Sequence, residues 1–512
     1  MLRLSDIARQ IPGSRLLGSA DPPIESAVAD SREAAPGALF FALQGFCVGS
    51  CVLHPGRPFI PDAVKRGASA IASDDMETFG DLDNPDRPDA RLGRLFTPDA
   101  RRSLAVASDL VYGHPSHALK MIGVTGTNGK TTTVMLIAAS LEAAGVPAAT
   151  LGTLGLGIRG TLIPADRTTP EAPSIQRTLR KLLQEGIGAV AMEISSQALD
   201  LHRPWGCAFD TAVFTNLTQD NLDFHASMEE YYQAKKKLFV DYPAAAGKPF
   251  TAVINVDDPY GARLAAETPG RVIRYGVASS QHPSADLVAE NPEVTPRSVS
   301  YTARYGKMGF PVHVPIGAGF NVYNSLAAVG AGLALGLASE AIAAGLANAH
   351  GAAGRFESVS CGQPFTVIVD YAHTPDGLLN LLRSARAITA NRLLAVFGCG
   401  GDRDPGKRPQ MGAIAADLAD QLYVTSDNPR TENPAAILSQ IVAGIPAEDH
   451  GCAAVIEDRR EAIGRALSDA RTGDVVVIAG KGHETYQVFA DGAIHFDDRE
   501  VARELLKKLV KT

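Results

Sequence analysis

Leu119-Lys-Met-Ile-Gly-Val-Thr-Gly-Thr-Asn-Gly-Lys-Thr-Thr-Thr133 is the stretch from which the fold of this 512-residue chain is read. Met121, Ile122 and Val124 are apolar and predict the end of a buried strand. Gly126, Asn128 and Gly129 permit a tight turn with inward-pointing N–H groups, and Thr131 to Ala144 carries a helical apolar pattern without Gly or Pro. Strand, glycine turn, Lys-Thr and helix together make a phosphate cradle. Loop amides and the helix N-terminus hold oxyanions, Lys130 adds a point charge, and the Thr131 hydroxyl can reach Mg²⁺. The generic Walker pattern has glycine where this chain has Val124, so only its second half is matched. A glycine turn before a core helix is the plainer alternative.

Outward from the cradle, Ala189-Val-Ala-Met-Glu193 reads as a buried strand ending in a carboxylate, which suits a hard cation such as Mg²⁺. Ala148 to Leu156 reads as a strand and glycine-rich turn, Ala172 to Gln184 as an amphipathic helix, and Ala212 to Leu217 as a further strand. Met228 to Val240 is a predicted helix bearing Lys235, Lys236 and Lys237, which by charge alone read as a solvated face. Phe320 to Asn324 precedes an Ala-rich stretch, 326–349, which Glu340 interrupts. That stretch predicts a buried helix pair rather than a membrane span.

Length predicts about three domains, placed at 1–118, 119–352 and 353–512. In the first, Leu2 to Gln10 and Phe59 to Gly67 read as helices, and Ala38 to Leu43 and Ala68 to Ala72 as strands. Residues 74–93, rich in Asp and Pro, read as a solvated loop. Asp30-Ser31-Arg32 fits an ordinary strand-end turn. In the third, Phe365 to Asp370, Arg392 to Cys399, Leu422 to Thr425 and Asp474 to Ala479 are strands alternating with helices, which predicts a doubly wound parallel sheet. The loops after those strands carry Gly398 to Lys407, Ser426 to Arg430 and Gly480 to Glu484. The planar guanidinium of Arg430 can grip a carboxylate at two points, and nearby acids can answer an ammonium.

A net charge of −8 argues against nucleic acid or an anionic membrane as the main partner. Six scattered cysteines without C-x-x-C, and a start lacking a long apolar segment, lead us to expect a reduced, cytoplasmic protein.

Thr125-Gly-Thr-Asn-Gly-Lys-Thr-Thr132 resembles the ATP loop of the Mur ligase family, which joins amino acids to nucleotide-linked peptidoglycan precursors. Met192-Glu-Ile-Ser-Ser196, Thr215-Asn-Leu-Thr-Gln-Asp220 and Tyr232-Gln-Ala-Lys-Lys236 follow in that family's order. Asp427-Asn428-Pro429-Arg430 is similar to the signature of members that add meso-diaminopimelate. The resemblance implies three domains: a central P-loop ATPase-like parallel sheet, flanked by a small N-terminal α/β domain and a C-terminal Rossmann-like domain. It implies ATP as co-substrate, Mg²⁺ as cofactor, and UDP-N-acetylmuramoyl-dipeptide and meso-diaminopimelate as the other substrates, with a monomer expected. Lys130, Lys235 and Glu193 are the implied catalytic residues. Gly126, Thr127, Asn128, Gly129, Lys130, Thr131 and Thr132 are the implied ATP contacts, joined by Asn324, Arg355, Asp370 and His373. Ser31, Thr168, Thr169, Ser195 and Arg203 match positions holding the UDP-muramoyl-dipeptide. Arg403, Asp427, Asn428, Pro429, Arg430, Gly480 and Glu484 match the diaminopimelate contacts. Thr131, Glu193 and a carbamylated Lys235 are the implied metal ligands. Asn221 stands where the family carries a metal-binding histidine, and its side-chain oxygen can still ligate Mg²⁺; Gln197 stands where the family has a histidine after Ser-Ser. Phe46-Cys47-Val48 departs from the family pattern, Gly49 to Pro55 looks like an insertion, and Gly56 to Ile60 resumes the pattern; the resemblance is weakest over 46–58 and 74–93. The alternatives are a folate polyglutamate ligase sharing the ATP core, and a catalytically weak binding scaffold of the same fold.

Overall fold

The computed structural model describes residues 2–48, 51–53, 55–80, 92–165, 167–219, 224–278 and 285–510. Its centre is the strand Lys120–Thr125, buried from Met121 onward. This strand lies between two parallel neighbours, Ala189–Glu193 and Thr211–Phe214. All three are nearly continuous apolar runs because helices cover both sheet faces. Parallel pairing runs from Ala148–Gly152 on one side to Leu287–Val294 on the other. Antiparallel strands extend both edges, to eleven strands among the described residues. The central sheet is thus parallel through its middle, as the resemblance implies, with antiparallel strands added at both edges. Its outer strand Val299–Tyr305 alternates buried and exposed residues, the pattern of a sheet with one face in solvent.

The chain leaves the central strand through Gly126, at φ +149°, where any Cβ would collide with Thr215 Oγ1. The helix Lys130–Ala143 then packs on Phe320–Ala334 and Ser339–Ala347. Phe320 to Asn324 forms the first turn of this Ala-rich helix instead of preceding it. The expected helix pair is present, with Glu340 exposed in the second member.

The helix expected to end at Val240 runs Met228–Ala246, through Pro243. Pro243 removes one backbone donor, but Tyr242 is buried beside it with its ring 5.0 Å from that of Trp205, and this packing holds the last turn. Residues 74–93 are not all solvated loop. Glu77–Gly80 is helical, and Phe79 is buried in an apolar cluster with Ile71 and Leu92. Residues 81–91 lie outside the described residues.

Among the described residues the N-terminal sheet has five strands and the C-terminal sheet six, each parallel except for one antiparallel edge strand. In the C-terminal sheet the order Thr366–Asp370, Val475–Ala479, Leu393–Phe397, Gln421–Val424 sets three loops side by side at the strands' carboxyl ends.

Candidate active site

The cradle turn is held from behind by the strand end Thr215-Asn216. Thr215 Oγ1 donates to the Asn128 carbonyl at 2.6 Å, and the Asn128 amide donates to Asn216 Oδ1 at 2.9 Å. Lys130 Nζ folds back to donate to the carbonyls of Gly126 (2.9 Å) and Thr127 (2.7 Å). Asn324 sits against Gly129, so a side chain there would strike its Oδ1.

The turn opens into a cavity of about 980 Å³. Thr127, Asn128, Gly129, Lys130, Thr131 and Thr132 line one wall, and Thr168, Thr169, Glu193, Ser195 and Arg203 another. Asn324, Arg355, Asp370 and His373 close the side toward the C-terminal unit. Gln197 also lines it. Gly126, Ser31, Lys235 and the residues read as amino-acid contacts are outside its lining. Asn221 lies outside the described residues. Ser31 is buried in the N-terminal unit, where its hydroxyl, with Arg66, holds the Asp62 carboxyl below the usual range.

Glu193 is 1% exposed. Its Oε1 accepts from the Thr153 amide at 2.9 Å and its Oε2 from Thr153 Oγ1 at 3.2 Å. Thr153 Oγ1 in turn meets Thr168 Oγ1 at 3.1 Å. Thr169 Oγ1 donates to the Glu193 carbonyl at 2.9 Å and accepts from the Ser195 amide at 3.1 Å. Arg203 pairs with Glu171 at 3.0 Å. The carboxylate's place depends on Gly152, whose added Cβ would fall 2.6 Å from Glu193 Cδ. Gly152→Ala is expected to cost about 1–3 kcal/mol in stability by overpacking, and about 10²-fold in turnover by displacing Glu193. Thermal melts and initial rates check both; an unchanged rate would show that the position of Glu193 does not matter.

Lys235 is 1% exposed and lies beneath the turn. Its Nζ donates to the Gly126 carbonyl at 3.0 Å and sits 4.5 Å above the Tyr231 ring. The solvated face expected from its charge is not what the fold makes of it. Lys236 and Lys237, on the same helix, are partly exposed and pair with Glu267 and Asp200.

On the C-terminal side, Asp370 is buried and accepts from the amides of Phe356 and Ala372, both at 2.7 Å. Burial pushes its carboxyl up, against the opposing charge of Arg355. Arg355 covers the Tyr371 ring at 4.6 Å, and the Tyr371 ring is 4.8 Å from that of His483. Burial first, then the Arg355 charge, pushes His483 down to about 4. The fold therefore holds the neutral imidazole. Between that value and the ordinary one of 6.5 the unfolded chain binds the extra proton, so the stability this ring contributes is present above the window and lost as pH falls through it. His483→Gln is expected to flatten the fall in Tm from pH 7 to pH 4. A pH profile identical to that of the parent chain would remove His483 as its cause.

The C-terminal loops form a second cluster. Asn428 Nδ2 donates to Glu484 Oε2 at 3.0 Å, and the fully buried Lys481 donates to Asn428 Oδ1 (3.0 Å) and Glu484 Oε2 (3.2 Å). Arg430 Nη1 donates to the Gly401 carbonyl at 2.7 Å, and Arg403 reaches the Asp402 carbonyl at 3.2 Å. Asp427 is buried against Gly480.

Residues 124–332 match the family model of the Mur ligase middle domain, and residues 354–482 that of the Mur ligase glutamate ligase domain. The UDP-N-acetylmuramoyl-L-alanyl-D-glutamate–2,6-diaminopimelate ligase of Geobacter metallireducens is 43% identical, with 99% of each chain covered. The chain belongs to the Mur ligase family. The like-named protein of Gloeobacter violaceus is 47% identical over 94% of this chain and 93% of its own. A solved structure of a ligase of that same name aligns with a TM-score of 0.68 at 33% identity, covering 96% of both chains.

For a Mur ligase using Mg²⁺ the donor chemistry fits. Mg²⁺ is usually held by one or two carboxylates, with substrate phosphates and waters completing the shell. Glu193 and the Thr131 hydroxyl line the same cavity as the phosphate cradle. Among the described residues no group of three His, Cys, Asp or Glu could hold a metal by itself.

Two residues escaped the sequence reading. Thr153 lies in a glycine-rich turn with no motif to mark it. Asp376 opens the helix Pro375–Ala387, and its Oδ2 accepts from Asn128 Nδ2 (2.9 Å) and Thr218 Oγ1 (2.6 Å), tying the cradle to the C-terminal unit.

Proposed function

We propose that this Mur ligase uses ATP to join meso-diaminopimelate to UDP-N-acetylmuramoyl-L-alanyl-D-glutamate, in the cytoplasm and as a monomer, during peptidoglycan precursor synthesis. The observation that carries the reading is one cavity in which the phosphate cradle faces Glu193, Thr168, Ser195 and Arg203. No helix among the described residues is long and apolar enough to cross a membrane. Residues 1–118 serve the uridine end, 119–352 the ATP chemistry and 353–512 the incoming amino acid.

The side-chain carboxylate of the D-glutamate attacks the γ-phosphorus of ATP, releasing ADP and forming an acyl phosphate. The diaminopimelate amine then attacks the acyl carbon, phosphate leaves, and an amide remains. Two anions must meet in the first step, so charge neutralisation dominates. Lys130, held at the turn by two carbonyls, supplies the cation that the β- and γ-phosphates would take over. Arg203 and Thr168 orient the acceptor carboxylate from the opposite wall. Mg²⁺, when bound at Glu193 and Thr131, would screen the same charge. A carbamate on Lys235 would turn a buried cation into an anion and give up its bond to Gly126. Arg430 and Glu484 answer a carboxylate and an ammonium of the amino acid. Closure of the C-terminal unit would bring that cluster to the cavity, which scattering with and without ligands checks.

ADP release in the presence of ATP and UDP-muramoyl-dipeptide is expected with diaminopimelate and not with lysine. A folate acceptor should give none. Binding of all three substrates without turnover would instead make the chain a scaffold.

A further inference from the structure

Two of the loops proposed to receive the amino acid have no backbone ladder between them. The strand Leu393–Phe397 separates Val475–Ala479 from Gln421–Val424, so the residues after them, Gly480 and Ser426-Asp427, are not neighbours in hydrogen bonding. Lys481 and Glu484 reach Asn428 across the gap near the loop tips, and a second buried side chain spans it at the strand ends. Arg459, the first residue of the helix Arg459–Asp469, has no side-chain exposure and pairs with the equally buried Asp498. Its Nε and Nη2 donate to the two carboxylate oxygens of Asp498, each at 2.7 Å. Nη2 also donates to the Ala479 carbonyl at 2.9 Å, and Nη1 to the Ser426 carbonyl at 3.4 Å. Those carbonyls stand immediately before Gly480 and Asp427. Across the gap, a Cβ on Gly480 would lie 2.5 Å from Asp427 Oδ2, so the spacing of these two loops has no slack.

A buried ion pair is weak evidence for stability, since apolar replacements of similar volume are often neutral or stabilising. What an apolar pair cannot do is bridge two carbonyls. The guanidinium has five donors in a rigid plane, and here that plane reaches one carbonyl of each loop.

We propose that Arg459, clamped by Asp498, is a positioning residue that sets the spacing of the Asp427 and Gly480 loops, and so the recognition of the incoming amino acid. This rests on the proposed function for the identity of that amino acid. It concerns neither ATP nor the chemical step.

The test uses the full chain in three forms: unaltered, Arg459→Met with Asp498→Leu, and Arg459→Lys. The double variant removes both charges at similar volume. The lysine variant keeps the charge and loses the fork. Each is assayed for KM toward diaminopimelate and toward ATP, with a thermal melt. The double variant is expected to fold and to raise the diaminopimelate KM about tenfold or more, as loop misplacement predicts, with the ATP KM unchanged. Arg459→Lys is expected to show the same split, more weakly. A folded double variant with the parent diaminopimelate KM would overturn the proposal. If the double variant does not fold, a folded Arg459→Lys with the parent KM overturns it. Unfolding of both would make the pair a stability element and overturn it equally. An unaltered chain silent toward diaminopimelate would sink the proposed function and this inference together, whereas an active one with insensitive variants would sink the inference alone.

Discussion

Replacing Lys130 with methionine is expected to lower ATP-dependent turnover about 10³-fold, the upper range for loss of one preorganised charge-stabilising group. The ammonium donates to the Gly126 and Thr127 carbonyls. Those bonds keep the cation at the mouth of the turn before nucleotide arrives. A triphosphate would offer stronger, charge-assisted acceptors at the same place. Methionine keeps most of the stem and removes the charge, so melting temperature should change little while ADP release collapses. Arg in place of Lys should not rescue, because a planar fork cannot occupy the site of a compact ammonium enclosed by two carbonyls. ADP release under saturating substrates, with calorimetry of nucleotide binding, measures both effects. Turnover within tenfold of the parent chain would mean that the phosphates are neutralised elsewhere.

Arg430→Ala is expected to raise the KM for diaminopimelate about 10–100-fold, the worth of a hydrogen-bonded charge at roughly 1.5–3 kcal/mol, and to leave ATP binding unchanged. Arg430 holds φ +54°, its amide donates to the Val488 carbonyl at 3.0 Å, and Nη1 is spent on Gly401. The remaining guanidinium nitrogens have no protein partner among the described residues, which leaves one edge of the fork for a carboxylate. Alanine bears the same left-handed backbone strain as arginine, so the substitution isolates the side chain. Lysine lacks the second carboxylate. The preference for diaminopimelate over lysine should therefore shrink by the factor that KM rises. If KM rose equally for both amino acids, Arg430 would be reading the α-carboxylate common to them.

The fold class was legible because it is written in short windows. The apolar run Met121 to Val124, the turn at Gly126 and the helix from Lys130 are contiguous, and their physics is local. The C-terminal alternation of apolar strands and amphipathic helices was readable in the same way. The antiparallel edges were not read as such, because one-face burial beyond Leu287 depends on what the sheet's other face meets.

The candidate site divides along the same line. The cradle residues are neighbours in sequence and remain neighbours in space. Lys235 was misplaced by charge reasoning alone, since a lysine triple on a helix gives no sign that one member will be turned under a glycine loop. Thr153 and Asp376 were invisible. Thr153 reaches Glu193 across forty residues, and Asp376 reaches Asn128 across 248. Asn128's own sequence therefore determined a turn that can hold phosphate, and nothing about the carboxylate that now grips its side chain.

By itself, then, the chain's sequence determined which segments bend, extend or coil, and which loops carry charge, because backbone sterics and apolar periodicity act over a few residues. Only the tertiary structure decided which loops share a cavity, which cations are buried, and that Arg459 bridges two loops a strand apart. Those contacts follow from the order in which strands stack and helices cover them. Loop-closure entropy rises only slowly with separation, so distant partners are open to the chain, and packing selects among them.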